Sequence, residues 1–102
     1  MEILQMTMKE LFKVFADYSL MISISSGVYF MGERIGYFDY ISNPYGEDYH
    51  FVPNKDDPDN IDGFTLFNKE DKLRAFFDRK SLWFKQIKEQ KRAEQLKEDF
   101  ND

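Results

Sequence analysis

The sequence predicts an α+β domain: an N-terminal helix, an antiparallel β-meander of three or four strands, and a long C-terminal helix packed on the sheet. Apolar residues recur at helical spacing before residue 19 and after residue 68, and between residues 20 and 52 they follow a period of two interrupted by turn residues. The 102 residues, 42% hydrophobic and 18% aromatic, suffice for one core but not for two. We therefore expect a single domain over residues 1–102.

The first helix is predicted to begin just after Thr7. Thr7 and Glu10 form a capping box, and the flanking Met6 and Leu11 occupy the positions of a hydrophobic staple. Apolar residues then recur at helical spacing as far as Tyr18, so this helix is expected to bury one face.

The central region is predicted to form strands over residues 20–25, 28–31 and 35–41, with a fourth short strand over residues 49–52. Gly32 is predicted to take the first central position of a two-residue type II′ turn. The run Asn43-Pro44-Tyr45-Gly46 predicts the next turn.

Both faces of the central hairpin are apolar or aromatic. One face is predicted to carry Val28, Phe30, Ile35, Tyr37 and Ile41, and the other Tyr29, Met31, Phe38 and Tyr40. An antiparallel sheet with one wet face normally alternates with polar residues. Either helices cover both faces or one aromatic face is kept for a partner, and the sequence leaves open which face is buried.

The C-terminal helix is predicted to be capped by Asn68, with acidic residues in its first turn that complement the helix dipole. Its buried stripe is predicted to contain Leu73, Phe76, Phe77, Trp83, Phe84 and Ile87. Leu82, Ala93, Leu96 and Phe100 fall on the opposite side, so the apolar stripe changes face across residues 88–92. Residues 88–102 are therefore either a mobile, solvated extension or a helical segment that contacts a partner through Leu96 and Phe100, and a homodimer is the simplest such contact.

The charge distribution excludes some partners. The net charge is −5, and residues 1–68 hold 4 bases against 11 acids, whereas residues 69–102 hold 10 bases against 8 acids. A net acidic chain disfavours direct binding to nucleic acid or to anionic membranes. The chain has no cysteine, no signal-peptide pattern and no apolar run near the roughly 18 residues that cross a bilayer, which predicts a cytoplasmic protein.

No arrangement of residues identifies a reaction. The loop after Asp57 resembles a calcium loop but has Ile61 at the fifth position, Asp62 where glycine is needed and Asn68 at the twelfth. His50 is the only histidine, and no activated nucleophile or phosphate-binding glycine motif accompanies it. We therefore predict a non-enzymatic protein with no cofactor and no metal.

The acidic segment between Tyr45 and Gly63 is the most informative stretch for function. It holds the predicted partner-binding acids Glu47, Asp48, Asp56, Asp57, Asp59 and Asp62 against the single base Lys55, beside the predicted aromatic anchors Tyr45, Tyr49 and Phe51. Carboxylates can stand in for phosphates in a basic groove, and aromatic side chains supply desolvated anchors. This predicts an inhibitor that occupies the nucleic-acid-binding groove of a protein by DNA mimicry. Small acidic proteins of phages and mobile elements, including inhibitors of nucleases and CRISPR effectors, are similar in character.

A second function class remains open. In it the chain is a structural or regulatory subunit that acts through the apolar hairpin face and the C-terminal tail, as a homodimer, and the acidic loop serves only solubility. The first hypothesis depends on the acids of residues 47–62, whereas the second depends on Leu96 and Phe100.

Overall fold

The computed structural model describes residues 6–61, 63 and 65–100, with side chains through residue 97. It confirms the α+β class, with a four-stranded antiparallel meander between one N-terminal helix and two C-terminal helices. In chain order the elements are α1 (Met8–Asp17), β1 (Met21–Ile22), β2 (Gly27–Phe30), β3 (Glu33–Asn43), β4 (Gly46–Pro53), α2 (Glu70–Arg79) and α3 (Ser81–Phe100).

Helix α1 begins where the capping box predicts. The Thr7 side-chain oxygen accepts a hydrogen bond from the Glu10 N–H at 3.1 Å, and the Thr7 hydroxyl donates to the Glu10 carboxylate at 3.1 Å. Both staple residues, Met6 and Leu11, are buried in the common core. The helix stops at Tyr18, and Ser19 turns the chain with a φ of 59°.

The sheet has the strand order β1-β2-β3-β4, and every neighbouring pair is antiparallel. Phe30 pairs with Glu33, so the turn between β2 and β3 contains Met31 and Gly32, with φ values of 49° and 88°. Two positive φ values are typical of a type I′ turn. The predicted type II′ turn was one residue out of register, because the strand pairing places Met31 rather than Gly32 first.

A β-bulge in β3 decides which side chains reach the core. Val28 pairs with Gly36 but Tyr29 pairs with Arg34, so Ile35 is an extra residue on β3. Ile35 lies in the core cluster, and past the bulge it is Phe38 that packs against the core. Tyr37 and Ile41 are exposed on the other side. The predicted assignment to faces was therefore wrong for all four residues that follow the bulge, because uninterrupted alternation ignores it: Tyr37, Phe38, Tyr40 and Ile41.

The core lies between one face of the sheet and the three helices. Ring contacts join Phe15 of α1 to Phe38 and Phe51, join Phe51 to Phe76 and Phe77 of α2, and join Phe30 to Phe84 of α3. Each fully buried side chain of this size contributes about 1.5–3 kcal/mol relative to exposure. Among the described residues, the ring contacts between the helices and the sheet lie on one face of the sheet, while Tyr37 and Ile41 on the opposite face are exposed.

The predicted single C-terminal helix is two helices. Lys69 rather than Asn68 occupies the N-cap position of α2, and its side chain makes no capping hydrogen bond. The helix is followed by Lys80, whose φ and ψ are −89° and 3°. The Asn68 amide instead donates to the Asp48 carboxylate at 3.3 Å. The break between α2 and α3 lies at Lys80, well before residues 88–92, where the apolar stripe was predicted to change face. Trp83, predicted to be part of the buried stripe, is 40% exposed.

Candidate interaction surface

The structure divides the predicted acidic segment between β4 and the loop that follows it. We call residues 54–63 the acidic loop, within which Asp62 lies outside the described residues. Asn60 anchors this loop, because its buried amide donates to the Pro53 carbonyl at 2.9 Å and its side-chain oxygen accepts from the Thr65 N–H at 3.2 Å. The acidic loop is therefore held by its own hydrogen bonds next to the end of β4.

Two carboxylates of the acidic loop are neutralised within the chain. The Lys80 ammonium lies 2.9 Å from an oxygen of Asp57 and 3.5 Å from one of Asp59, and Arg79 lies 3.8 Å from Asp59. The Asp57 carboxylate also accepts the Asp59 N–H at 2.8 Å. Among the acids described in this loop, Asp56 is the one that is exposed and forms no ion pair.

Lys80 occupies the break between α2 and α3, which aims its side chain at the acidic loop. Its ammonium also lies 5.3 Å from the centre of the Phe76 ring, a cation–π distance. The sequence pattern did not identify Lys80 as a partner of these acids. The available signal was the pair of bases, Arg79 and Lys80, that ends the apolar run of α2.

Asp48 and Phe51 make contacts within the fold rather than facing solvent. The Asp48 carboxylate is half-buried and accepts hydrogen bonds from the Met6 N–H and the Asn68 amide, both at 3.3 Å, so it joins two distant segments to β4. Phe51 is 0% exposed. The prediction that Phe51 anchors a partner was therefore wrong, because its position in β4 points the ring into the helices.

Tyr49 and Glu47 interact at the start of β4. The Tyr49 hydroxyl donates to Glu47 at 2.9 Å, and its ring lies 5.3 Å from that of Tyr40 on the paired strand. The hydrogen bond to Glu47, followed by burial, raises the pKa of Tyr49 above its usual value. Glu47 itself is exposed, and Tyr49 is half-buried.

The strands β3 and β4 extend beyond β2 as a two-stranded ribbon, which we call the hairpin arm and define as residues 39–48. β2 pairs with β3 only as far as Tyr37, whereas β3 and β4 remain paired to the turn at Asn43 and Gly46. The arm exposes its large side chains: Tyr40 by 49%, Ile41 by 56% and Tyr45 at the tip by 75%. It contains three carboxylates, Asp39, Glu47 and Asp48, and no lysine or arginine lies between residues 35 and 54.

A surface groove of about 610 Å³ lies between the β2–β3 turn, the acidic loop and the α2–α3 junction. Trp83 lines it together with the exposed Asp56 and the guanidinium of Arg79. Since both signs of charge line this groove, its charge does not select a ligand.

The secondary interface predicted at the tail is accessible in part. Leu96 is 51% exposed on α3, and the Phe100 side chain lies outside the described residues. Within α3, Lys91 reaches back to the sheet and lies 3.4 Å from Glu33. Whether Leu96 contacts a partner stays a prediction.

His50 is buried in β4 opposite Asp39. Among the described residues, no three potential ligands of histidine, cysteine, aspartate or glutamate converge on a common point. None of the described helices combines the length and the apolar character that crossing a bilayer requires.

No protein-family model matches the chain, and neither a curated protein nor a solved structure shows significant similarity to it.

Proposed function

We propose that this chain is a non-enzymatic binding protein whose hairpin arm docks onto a basic surface of a partner protein. The observation that carries the proposal is the composition of the arm: exposed Tyr40 shares one face with Glu47, and exposed Ile41 shares the other face with Asp39. Tyr45 is exposed at the tip. Aromatic side chains supply most of the energy at protein interfaces, while charge complementarity supplies specificity and a fast association rate.

The partner surface that fits this arm is a groove that normally holds nucleic acid. Such grooves are rich in lysine and arginine, and carboxylates neutralise those side chains with the salt sensitivity of a phosphate backbone. The DNA-mimicry hypothesis is kept, but its contact residues are those of the hairpin arm instead of the acidic loop. Asp57 and Asp59 are paired with Lys80, which leaves Asp56 as the one exposed, unpaired acid described in the acidic loop. The arm presents two exposed carboxylates without an ion pair, those of Asp39 and Glu47.

The test is a tagged pull-down with charge-reversal variants at about 0.1 M and 0.5 M salt, a range over which electrostatic binding weakens. The variant Asp39→Lys with Glu47→Lys reverses the arm. The matched control Glu89→Lys with Glu94→Lys makes the same change in net charge on exposed positions of α3. We expect the arm variant to lose a nucleic-acid-binding partner and the control to retain it.

Retention of the same partner by the arm variant would overturn the proposal. Both variants change exposed side chains, for which the expected effect on stability is within about 0.5 kcal/mol per site. Thermal unfolding of each variant therefore separates loss of binding from loss of fold.

A second candidate function is self-association through the tail, favoured by the exposure of Leu82 and Leu96 on α3. The two leucines lie within about 40° of each other on a helical projection. Truncation after Arg92 removes Leu96 but keeps the ion pair between Lys91 and Glu33. A full-length dimer that becomes monomeric on truncation, measured by analytical ultracentrifugation, would support this second function, and an unchanged state would exclude it.

A further inference from the structure

The hydrogen bonds of β4 show which backbone groups of the hairpin arm point outward. The Tyr49 N–H donates to the Met6 carbonyl at 2.9 Å. Phe51 exchanges two hydrogen bonds with Phe67, at 2.9 Å and 2.8 Å, in an isolated antiparallel bridge. Tyr49 and Phe51 therefore turn their main-chain groups away from β3, and the outer edge of β4 is occupied by two other segments of the chain.

The pairing of β3 with β4 also shows which main-chain groups of β3 point outward. Tyr40 pairs with Tyr49 and Phe38 with Phe51, and in an antiparallel ladder such non-hydrogen-bonded partners point to opposite edges. The edge of β3 on the β2 side therefore carries the main-chain groups of Phe38 and Tyr40. By the same alternation it also carries those of Ser42. The Phe38 N–H donates to the Ser26 carbonyl at 3.0 Å, after which β2 and its turn no longer follow the arm.

We call the β2-side edge of β3 from Tyr40 to Ser42 the open edge. Within the described part of the chain, no other backbone segment bonds to this edge. The Tyr40 N–H is held by the Asp39 carboxylate at 2.8 Å. A carboxylate that caps an edge N–H prevents unselective strand pairing, as charged side chains do on many sheet edges.

We propose that the open edge binds an extended, basic segment of the partner protein by strand addition, and that Asp39 acts as a removable cap. This inference rests on the proposed function, because it specifies how the hairpin arm holds its partner. A lysine or arginine beside Asp39 competes for the carboxylate and releases the Tyr40 N–H to the incoming strand. Main-chain hydrogen bonds then give affinity, and side chains at alternate positions give specificity.

Charge selects the basic segment over a second copy of this chain. Two hairpin arms paired through their open edges would bring the Asp39 carboxylates of both copies to one shared edge, with no lysine or arginine between residues 35 and 54 to compensate. Like charges directly opposite each other destabilise a strand pair. A segment with alternating lysines instead brings its positively charged side chains next to the negatively charged arm.

The probe is a capped seven-residue peptide of alternating lysine and threonine, titrated into the protein while backbone amide signals are followed by NMR. Two further peptides carry N-methyl groups either on all lysine residues or on all threonine residues. In a bound strand only one of these two sets faces the protein, so we expect the two methylated peptides to differ in affinity by about tenfold, the effect of roughly one or two lost hydrogen bonds. The Tyr40 and Ser42 amides should shift and exchange more slowly when the unmethylated peptide binds.

The protein variants test the same edge from the other side. Ser42→Pro removes an outward N–H that the ladder to β4 does not use, a position at which an edge strand tolerates proline. Ser42→Thr keeps the N–H and serves as the matched control. We expect Ser42→Pro to weaken the peptide about tenfold and Ser42→Thr to bind it as the parent chain does.

Two results would overturn strand addition: equal affinity of both methylated peptides, or no amide shift at Tyr40 and Ser42. If the peptides still bind the arm and the pull-down partner is still lost on reversal of Asp39 and Glu47, the proposed function stands without strand addition. If the partner survives that reversal, the proposed function itself is wrong.

Discussion

Replacing Lys80 by methionine tests whether the acidic loop is structural. The Lys80 ammonium and the Asp57 carboxylate are 2.9 Å apart, and their side chains are only 19% and 16% exposed. At an effective dielectric constant of about 20 the bare attraction at this distance is roughly 6 kcal/mol, most of which desolvation offsets. Since exposed pairs contribute about 0–1 kcal/mol and breaking buried pairs costs about 3–5 kcal/mol, we expect a loss of about 2 kcal/mol for this intermediate case.

Methionine keeps most of the apolar stem beside Phe76, so the substitution mainly removes charge. Urea unfolding followed by far-UV circular dichroism gives the free energy of unfolding, and the expected loss corresponds to a fall in Tm of roughly 10 °C for a domain of this size. A double-mutant cycle with Asp57→Asn isolates the coupling between the two side chains, which we expect to be about 1–2 kcal/mol.

The matched control is Lys91→Met, which breaks the more exposed pair with Glu33, 3.4 Å long with side chains 34% and 52% exposed. Its expected cost is about 0.5 kcal/mol or less. If Lys80→Met costs no more than Lys91→Met, or if the cycle gives no coupling, then the acidic loop is not held by Lys80 and its carboxylates are free for a partner.

Three further predictions concern single positions in the fold. Gly36→Ala should lower the free energy of unfolding by about 1–3 kcal/mol in urea titrations, because the new methyl group would overlap a carbonyl oxygen of β4 and lie 2.7 Å from a Phe51 ring carbon; unchanged stability would mean that the strands are farther apart. Burial, followed by the hydrogen bond to Asp78, raises the pKa of Tyr18 above its usual value. The unfolded chain therefore loses this proton first, so the stability that Tyr18 contributes is complete below pH about 10 and is lost as the pH rises through the folded pKa. Unfolding measured from pH 8 to 11 should show this loss in the parent chain and a weaker one in Tyr18→Phe, and parallel curves would contradict it. Met31→Asn should raise the free energy of unfolding by about 0.5–1 kcal/mol, and with it the Tm, because asparagine tolerates the φ of 49° in the turn better than methionine does. A lower Tm would argue against the type I′ turn.

The sequence predicted those features that depend on neighbouring residues. The capping box at Thr7 and Glu10 places the start of α1, and the Asn43-Pro44 turn places the hairpin between β3 and β4. The class of the fold follows from such local signals, because each helix and strand carries its own period.

Features that depend on tertiary contacts could not be predicted in this way. The bulge at Ile35 arises from strand pairing, and the break at Lys80 has neither glycine nor proline to announce it. Likewise, the charge of Asp57 is neutralised by a lysine 23 residues away in the sequence. The candidate site moved from the acidic loop to the hairpin arm for this reason: charge is visible in a sequence, whereas its neutralisation depends on the fold.

The pairing of β4 with Phe67 also bears on the order in which the chain can fold. Phe51 packs against Phe76 and Phe77 and bonds to Phe67, so the strand is complete only after residues well beyond it have been synthesised. A nascent chain that has exposed β3 and β4 but not α2 presents an unpaired strand edge and an uncovered Phe51 ring, the combination that promotes aggregation. The sheet therefore depends on late-arriving segments, and its folding on the ribosome is expected to wait for α2.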